Sequence, residues 1–285
     1  MLIMRDFSQL KNYFIESLSD QYELRELNSF FFLLIENVKQ WNKIDFSIHR
    51  KLEVTKEEYF IFKNAIKSLR SKTPIQYIIG HVIFYDLHLK VNKNVLIPRP
   101  ETEELIRLIK DNNIPHSPQN ILDIGTGSGC IILALKTFFL DSYCLGIDIS
   151  KAAIETAKKN AQNLGLDVCF LREDVFNYNG TKKFDLIVSN PPYVTESEKK
   201  LMDSNVIDYE PHRALFVKDA NPLLYYKRIA ELGIKTLNNN GKIYFEINEK
   251  YGYEVVYLLK ELGYKNLSLK KDFQERNRFV SAVLK

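Results

Sequence analysis

The stretch Ile121-Leu122-Asp123-Ile124-Gly125-Thr126-Gly127-Ser128-Gly129 decides how this chain is read. A mostly apolar run breaks into glycines at every second position, and an apolar segment of helical period follows over residues 130–139. A strand that ends in such glycines and feeds a helix lets the backbone approach a ligand closely, at a helix end that carries positive partial charge. This is a cradle for a nucleotide-like group. The spacing is G-x-G-x-G, with Cys130 where a dinucleotide fingerprint would continue, which argues against a nicotinamide cofactor.

A second apolar run, residues 143–147, ends at Asp148. An acid at a strand tip about 20 residues past the first glycine is suited to accept from both hydroxyls of a ribose. The third run, residues 168–171, leads into Arg172-Glu173-Asp174-Val175-Phe176, where Asp174 is a candidate acceptor for an adenine amino group and Val175 a flank for the ring. Each acid alone reads equally well as a solvated strand end or a helix cap. Their order along the chain favours the ligand.

The fourth run, Phe184-Asp185-Leu186-Ile187-Val188-Ser189, stops at Asn190-Pro191-Pro192-Tyr193. Two prolines pin φ, remove two backbone donors and push the residues before them out of the helical region, leaving a stiff tip rich in acceptors. If the side-chain oxygen of Asn190 and the carbonyl of Pro191 each take one N–H of a planar NH2 group, its nitrogen is held with the lone pair free. Tyr193 would add an aromatic wall. The plain alternative is a proline-rich loop with a polar cap. A primary amide nitrogen is a poor nucleophile, so such a site has to orient and polarise it, and no His, Cys or Ser nucleophile is required.

Taken together, Gly125 to Gly129, Asp148, Asp174 and Asn190-Pro191-Pro192-Tyr193 resemble a class I S-adenosylmethionine-dependent methyltransferase, in the form found where amide or exocyclic amino nitrogens are methylated. Three further segments narrow the resemblance: Thr73-Pro74-Ile75-Gln76-Tyr77-Ile78-Ile79-Gly80, Val95-Leu96-Ile97-Pro98-Arg99-Pro100-Glu101-Thr102-Glu103 and Tyr209-Glu210-Pro211-His212-Arg213-Ala214-Leu215. Over nearly the whole chain they are similar to the peptide chain release factor N5-glutamine methyltransferase family. The resemblance implies transfer of a methyl group to the glutamine side chain of the Gly-Gly-Gln loop of bacterial class I release factors. It implies cofactor positions at Gly125, Thr126, Gly127, Ser128, Gly129, Asp148, Asp174, Val175 and Asn190. Substrate positions fall at Asn190, Pro191, Pro192 and Tyr193, of which Asn190, Pro191 and Tyr193 are the catalytic candidates. The chain departs from the family's usual glycines at Asp86, in the turn Phe84-Tyr85-Asp86-Leu87, and at Asn248, in Glu246-Ile247-Asn248-Glu249. Alternatives are a glutamine methyltransferase acting on a ribosomal protein, an adenine-N6 methyltransferase of nucleic acid, and a cofactor-fold protein that binds a partner without catalysis.

With 285 residues and 45% hydrophobic content the chain can bury a full core and form more than one domain. Its 40 Lys+Arg against 36 Asp+Glu, spread evenly along the chain, give a balance too small for a strong polyanion binder, so nucleic acid is not expected. No apolar run of spanning length and no signal-like segment is seen, so the expectation is a cytoplasmic protein, monomeric and without a membrane. Cys130, Cys144 and Cys169 sit in apolar surroundings and read as buried thiols; His49, His81, His88, His116 and His212 lack ligand spacing, so no metal is expected.

Helical periodicity over residues 7–70, as in Leu10, Phe14, Leu18 and Phe30, Leu33, Leu34, Val38, predicts a small helical bundle over residues 1–75. That apolar stripe reads as the bundle's core or as a docking surface for a protein substrate. Alternation over residues 82–91 predicts a hairpin, within a linker of residues 76–96. Residues 97–285 alternate between strand and helix, which predicts an α/β doubly wound sheet, for which the resemblance implies seven strands with one antiparallel. Residues 97–100 cannot be helical throughout, which structural punctuation alone would explain; the resemblance implies that this segment lines the cleft, with Arg99 and Glu101 shaping it. Glu210-Pro211 and the polar stretch 196–208 read as a loop and short helix closing over the pocket, or as a surface insertion.

Overall fold

The structure is a computed structural model that describes residues 6–113 and 116–285. The chain forms two compact units, one running to Gly80 and including Ser204–Tyr209, the other made of His81–Asp203 and Glu210–Lys285.

The first unit is built from α1 (Phe7–Glu16), α2 (Leu24–Lys39), α3 (Lys43–His49), α4 (Lys56–Arg70) and α5 (Ile75–Ile79), joined late in the sequence by the helix Ser204–Tyr209. The helix starts are chemically marked. Asp6 accepts from the Gln9 N–H, and Asn42 with Asp45 and Thr55 with Glu58 form reciprocal capping boxes. Leu10, Phe14, Leu18, Phe31, Leu34 and Ile35 are buried, and Phe30, Leu33 and Val38 pack against the same cluster. The apolar stripe is therefore the core of the bundle, which accounts for it without a docking role. Phe14, Phe31 and Phe62 meet at ring separations of 5.4 to 6.2 Å.

The second unit opens with the hairpin β1 (His81–Phe84) and β2 (Leu87–Lys90), followed by α6 (Pro100–Asn113). Tyr85 and Asp86 both have positive φ, 49° and 61°, the requirement of a two-residue turn that follows the twist of its strands. Asp tolerates this conformation; Tyr85 is held in it by Glu103, which accepts from its N–H at 2.9 Å, and by an edge contact with Phe138. Phe84 and Leu89 join the core of the unit, so the hairpin packs with the sheet domain.

Next come β3 (Asn120–Ile124), α7 (Cys130–Phe138), β4 (Tyr143–Asp148), α8 (Lys151–Leu164), β5 (Cys169–Arg172) and β6 (Phe184–Ser189). A short parallel pair, β7 (Val194–Thr195) and β8 (Phe216–Val217), brackets a 3-10 turn Glu196–Leu201, α9 (Ser204–Tyr209) and α10 (His212–Leu215). The chain closes with α11 (Leu224–Thr236), β9 (Leu237–Glu246), α12 (Gly252–Glu261), β10 (Lys265–Lys271) and β11 (Asn277–Val283). Seven strands form one sheet in the order β10-β11-β9-β6-β3-β4-β5, and β11 alone runs against the rest. This is the doubly wound sheet that the alternation of strand and helix predicts, with the seven strands and one antiparallel member that the resemblance implies.

Burial explains the apolar runs. Leu186 and Val188 point into the cluster with α6, α7 and α8, while Ile187 points into the cluster with α11 and α12. A strand covered on both faces has no polar side to keep. Asp123 in β3, Ser189 in β6 and Glu246 in β9 are buried polar exceptions, and Asp123 sits directly before the glycine loop. Among the thiols, Cys144 is buried and Cys130 half-buried, whereas Cys169 is exposed at the edge strand β5, contrary to the reading of three buried thiols.

Candidate active site

The C-terminal ends of β3, β4, β5 and β6 open on one cavity of about 520 Å³. Its wall includes Gly125 to Ser128 after β3, Asp148 to Ser150 after β4, Glu173 to Phe176 after β5 and Ser189 to Pro192 after β6. Val95, Leu96, Pro98, Arg99 and Thr102 complete it with Pro211, Arg213 and Ala214. Parallel strands bring their C-terminal ends to the same side, so four sequence motifs far apart in the chain meet at one place.

The loop after β3 is shaped by its main chain. Gly125 and Gly127 stand at φ +75° and +56°, and a methyl group on either would meet nothing closer than 3.9 Å. They supply a left-handed turn and leave the cavity floor open. Gly129 serves the helix instead, capping α7 at φ +83°, where an added carbon would press on Leu133 at 3.0 Å and Ala157 at 3.3 Å. It lies outside the cavity wall. The Gly125 and Thr126 N–H groups both donate to the Ile147 carbonyl, which ties this loop to β4.

Asp148 is already engaged: Oδ2 accepts from the Gly127 N–H at 3.0 Å and Oδ1 from the Ser150 N–H at 2.8 Å. Burial raises its carboxyl above the usual range, against the pull of those two N–H groups and of the Arg213 guanidinium. Asp174 accepts from the Phe176 N–H at 3.0 Å, and the Val175 carbonyl is held by the Arg228 guanidinium at 2.8 Å. In β3, just ahead of the loop, Asp123 accepts from the Thr126 hydroxyl at 2.6 Å, and burial pushes its carboxyl up to about 7.

At the tip of β6, Ser189 donates its hydroxyl to the Ile124 carbonyl at 2.6 Å and locks the tip to β3. Asn190, Pro191 and Pro192 line the cavity. The Asn190 amide nitrogen lies 3.5 Å from the Thr102 hydroxyl, at the long end of hydrogen bonding. Tyr193 does not form the expected wall. It is absent from the lining, its ring packs with the core on the α11 side, and its hydroxyl donates to Glu246 at 3.1 Å. Burial, and then that carboxylate, raise the Tyr193 phenol above its ordinary range.

Several residues in and around the site have structural roles that the sequence did not reveal. Glu210 is buried and accepts from Arg99 at 2.5 Å and from the Ile97 N–H at 3.2 Å, fixing the proline-broken segment before α6. Asn160, fully buried in α8, bonds both the N–H and the carbonyl of Lys90 and the carbonyl of Ser128. The signal available for it was a polar residue on the apolar face of a helix. Asn248, where the family usually has glycine, donates to the Tyr193 carbonyl at 3.1 Å and to Glu198 at 2.8 Å. Among the described residues, those at 196–209 contribute nothing to the cavity wall; Pro211, Arg213 and Ala214 do, and Ser204–Tyr209 groups with the bundle. Of the expected cover, Pro211 is therefore at the cavity, joined by Arg213 and Ala214, while residues 196–208 are not.

The methyltransferase small domain family matches residues 102–210, and the PrmC N-terminal domain family matches residues 9–80. A solved methyltransferase from Pyrococcus furiosus superposes with a TM-score of 0.52 at 18% identity, covering 69% of this chain and 88% of its own. Sheet order, glycine loop and this likeness define the class I methyltransferase fold. The release factor glutamine methyltransferase of Flavobacterium psychrophilum is 41% identical over 278 residues, 95% of this chain and 98% of its own length. That of Bacteroides thetaiotaomicron is 39% identical over 277 residues, 96% of this chain and 99% of its own. The chain belongs to the release factor glutamine methyltransferase family.

Proposed function

We propose that this protein methylates the side-chain amide nitrogen of the glutamine in the Gly-Gly-Gln motif of class I peptide chain release factors, with S-adenosylmethionine as methyl donor. The observation that carries this reading is that Asn190 and Pro191 line the same cavity as the glycine loop, in a chain whose full-length relatives bear the release factor name.

The residues present fit the cofactor. The open floor at Gly125 and Gly127 admits a close-lying group, and Asp148, although bonded to two N–H groups, keeps further lone pairs for a ribose diol. Asp174 and Val175 supply an acceptor and an apolar flank for an adenine ring. The bound cofactor supplies an electrophilic methyl carbon on a positively charged sulfur.

The chain's own residues have to prepare the amide. Asn190 Oδ1 and the Pro191 carbonyl each take one N–H of the glutamine NH2, turning the nitrogen lone pair toward the methyl carbon. The same two dipoles stabilise the positive charge that develops on nitrogen as the N–C bond forms and the S–C bond breaks. The surplus proton then passes from the nitrogen to water. Pro191 and Pro192 keep both acceptors stiff, and Pro192 carries no N–H to compete for them. Tyr193 enters through its hydroxyl bond to Glu246, away from the substrate.

This reading takes the chain as a cytoplasmic monomer that works without nucleic acid; among the described residues no helix is long and apolar enough to cross a membrane. Labelled S-adenosylmethionine incubated with release factor, a Gln→Ala release factor, ribosomal proteins and DNA tests it. Label should enter the intact release factor and be lost with the glutamine. Label on DNA or on a ribosomal protein instead would reassign the substrate.

A further inference from the structure

The tip of β6 is braced by two buried side chains to which the sequence assigned no role, one of them, Thr102, at the edge of the cavity wall. Thr102, in the first turn of α6, and Glu246, at the end of β9, are 2% and 1% exposed. The Thr102 hydroxyl donates to Glu246 Oε2 at 2.7 Å, and the other carboxylate oxygen accepts from the Tyr193 hydroxyl at 3.1 Å. Glu246 therefore reaches both ends of Asn190-Pro191-Pro192-Tyr193, one end directly and the other through Thr102.

We propose that Thr102 and Glu246 are positioning residues that fix which way round the Asn190 amide stands. A hydroxyl has a single hydrogen, and that of Thr102 is committed to Glu246, so its oxygen can only accept from a further neighbour. The Asn190 group that faces it is the amide nitrogen, at 3.5 Å. This leaves Asn190 Oδ1 as the atom free to accept from a ligand. The two ends of a carboxamide are nearly the same size, and without this bias the amide can turn its NH2 toward the substrate. Two NH2 groups face to face cannot bond, and the acceptor that the transfer needs is lost.

Burial raises the Glu246 carboxyl, opposed by the two hydroxyl donors and the charge of Arg278. A buried acid with no function beyond packing is replaceable by an apolar side chain, and here it instead holds two hydroxyls in fixed directions.

The proposal rests on the reading of Asn190 as an amide-gripping residue, and its test separates the two. Turnover of release factor and cofactor affinity would be measured for Thr102→Val, Thr102→Ser, Asn190→Ala and the Thr102→Val/Asn190→Ala pair. Thr102→Val, close in shape, should lower kcat about 10-fold with cofactor affinity unchanged, and Thr102→Ser should restore most of it. In the Asn190→Ala background the same change should cost less than about twofold, because nothing remains to be oriented. If Thr102→Val proves unfolded, Glu246→Gln, in which one carboxylate acceptor becomes a donor, should show the same kcat-selective loss. Equal losses from Thr102→Val in both backgrounds, or a normal Thr102→Val enzyme beside an impaired Asn190→Ala, would overturn the positioning role alone. Normal turnover in Asn190→Ala would remove the reading on which it rests.

Discussion

The tips of β3 and β6 are neighbours in the sheet and open on the same cavity, yet they are made in opposite ways. The tip of β3 is defined by main-chain conformation: two glycines at positive φ, N–H groups bonded to Ile147, and the Thr126 hydroxyl turned inward to Asp123. The tip of β6 is defined by side chains, with prolines that remove donors and an amide held by Thr102 and, behind it, Glu246. A ligand gripped by a floor of backbone needs room above all. A flat NH2 group that must be told from an oxygen needs an acceptor whose identity is fixed.

The comparison breaks most directly at Asn190. Asn190→Ala should lower turnover by about 100-fold or more while leaving cofactor affinity within about twofold, as the loss of one preorganised dipole at the reacting group does. Calorimetry and a methyl-transfer assay together check this, and a matching fall in cofactor affinity would erase the difference between the tips.

At the other tip the polar side chain is hidden, so its removal should be felt in stability and not in binding. Asp123 keeps its proton in the folded chain up to about 7, against an ordinary value of 3.8, so between these values the folded state binds more protons than the unfolded. Stability from this residue therefore falls as pH rises from about 4 to about 7 and is level above that. Asp123→Asn should remove a fall of about 3–4 kcal/mol between pH 4 and pH 7, read from urea titrations at pH 4, 5.5 and 7. Cofactor affinity should stay near wild type.

Asp148→Ala removes an acceptor that also holds the Gly127 N–H, and cofactor affinity should drop about tenfold with kcat at saturation little changed. The smallest expected effect is Gly127→Ala, in which a left-handed residue gains a side chain in open space. About 1 kcal/mol of stability should be lost, read from the thermal midpoint, with a modest rise in cofactor Kd.

Much of this pair of tips was legible in the chain. Glycines at alternate positions after an apolar run, acids at the ends of the next two runs and an Asn before two prolines are local patterns, and each is dictated by backbone geometry at its own position. Parallel strand order then brings them together without further information. The place of Tyr193 was not legible, because sequence spacing cannot tell which face of a turn a ring takes; its position in the core on the α11 side depends on Glu246, 53 residues away. The bonding roles of Glu210, Asn160 and Thr102 were not legible for the same reason, although Glu210 and Thr102 stand in segments that carry the resemblance. A buried acid or amide looks like any surface residue until the partner it satisfies is known, and those partners lie 113, 70 and 144 residues distant. The stripe in the bundle was legible as apolar period, and only burial decides between core and docking face.

The helix Ser204–Tyr209 groups with the bundle, and the Tyr209 hydroxyl donates to the Ser71 carbonyl. A ribosome making this chain finishes residues up to Gly80 and then adds about 120 more before that last piece exists, a delay of roughly 6–25 s at ordinary elongation rates. The N-terminal unit cannot reach its final form during that interval. By the time its missing helix emerges, β3 to β6 are already outside the exit tunnel, so completion of the first unit in sequence waits on most of the second having been synthesised.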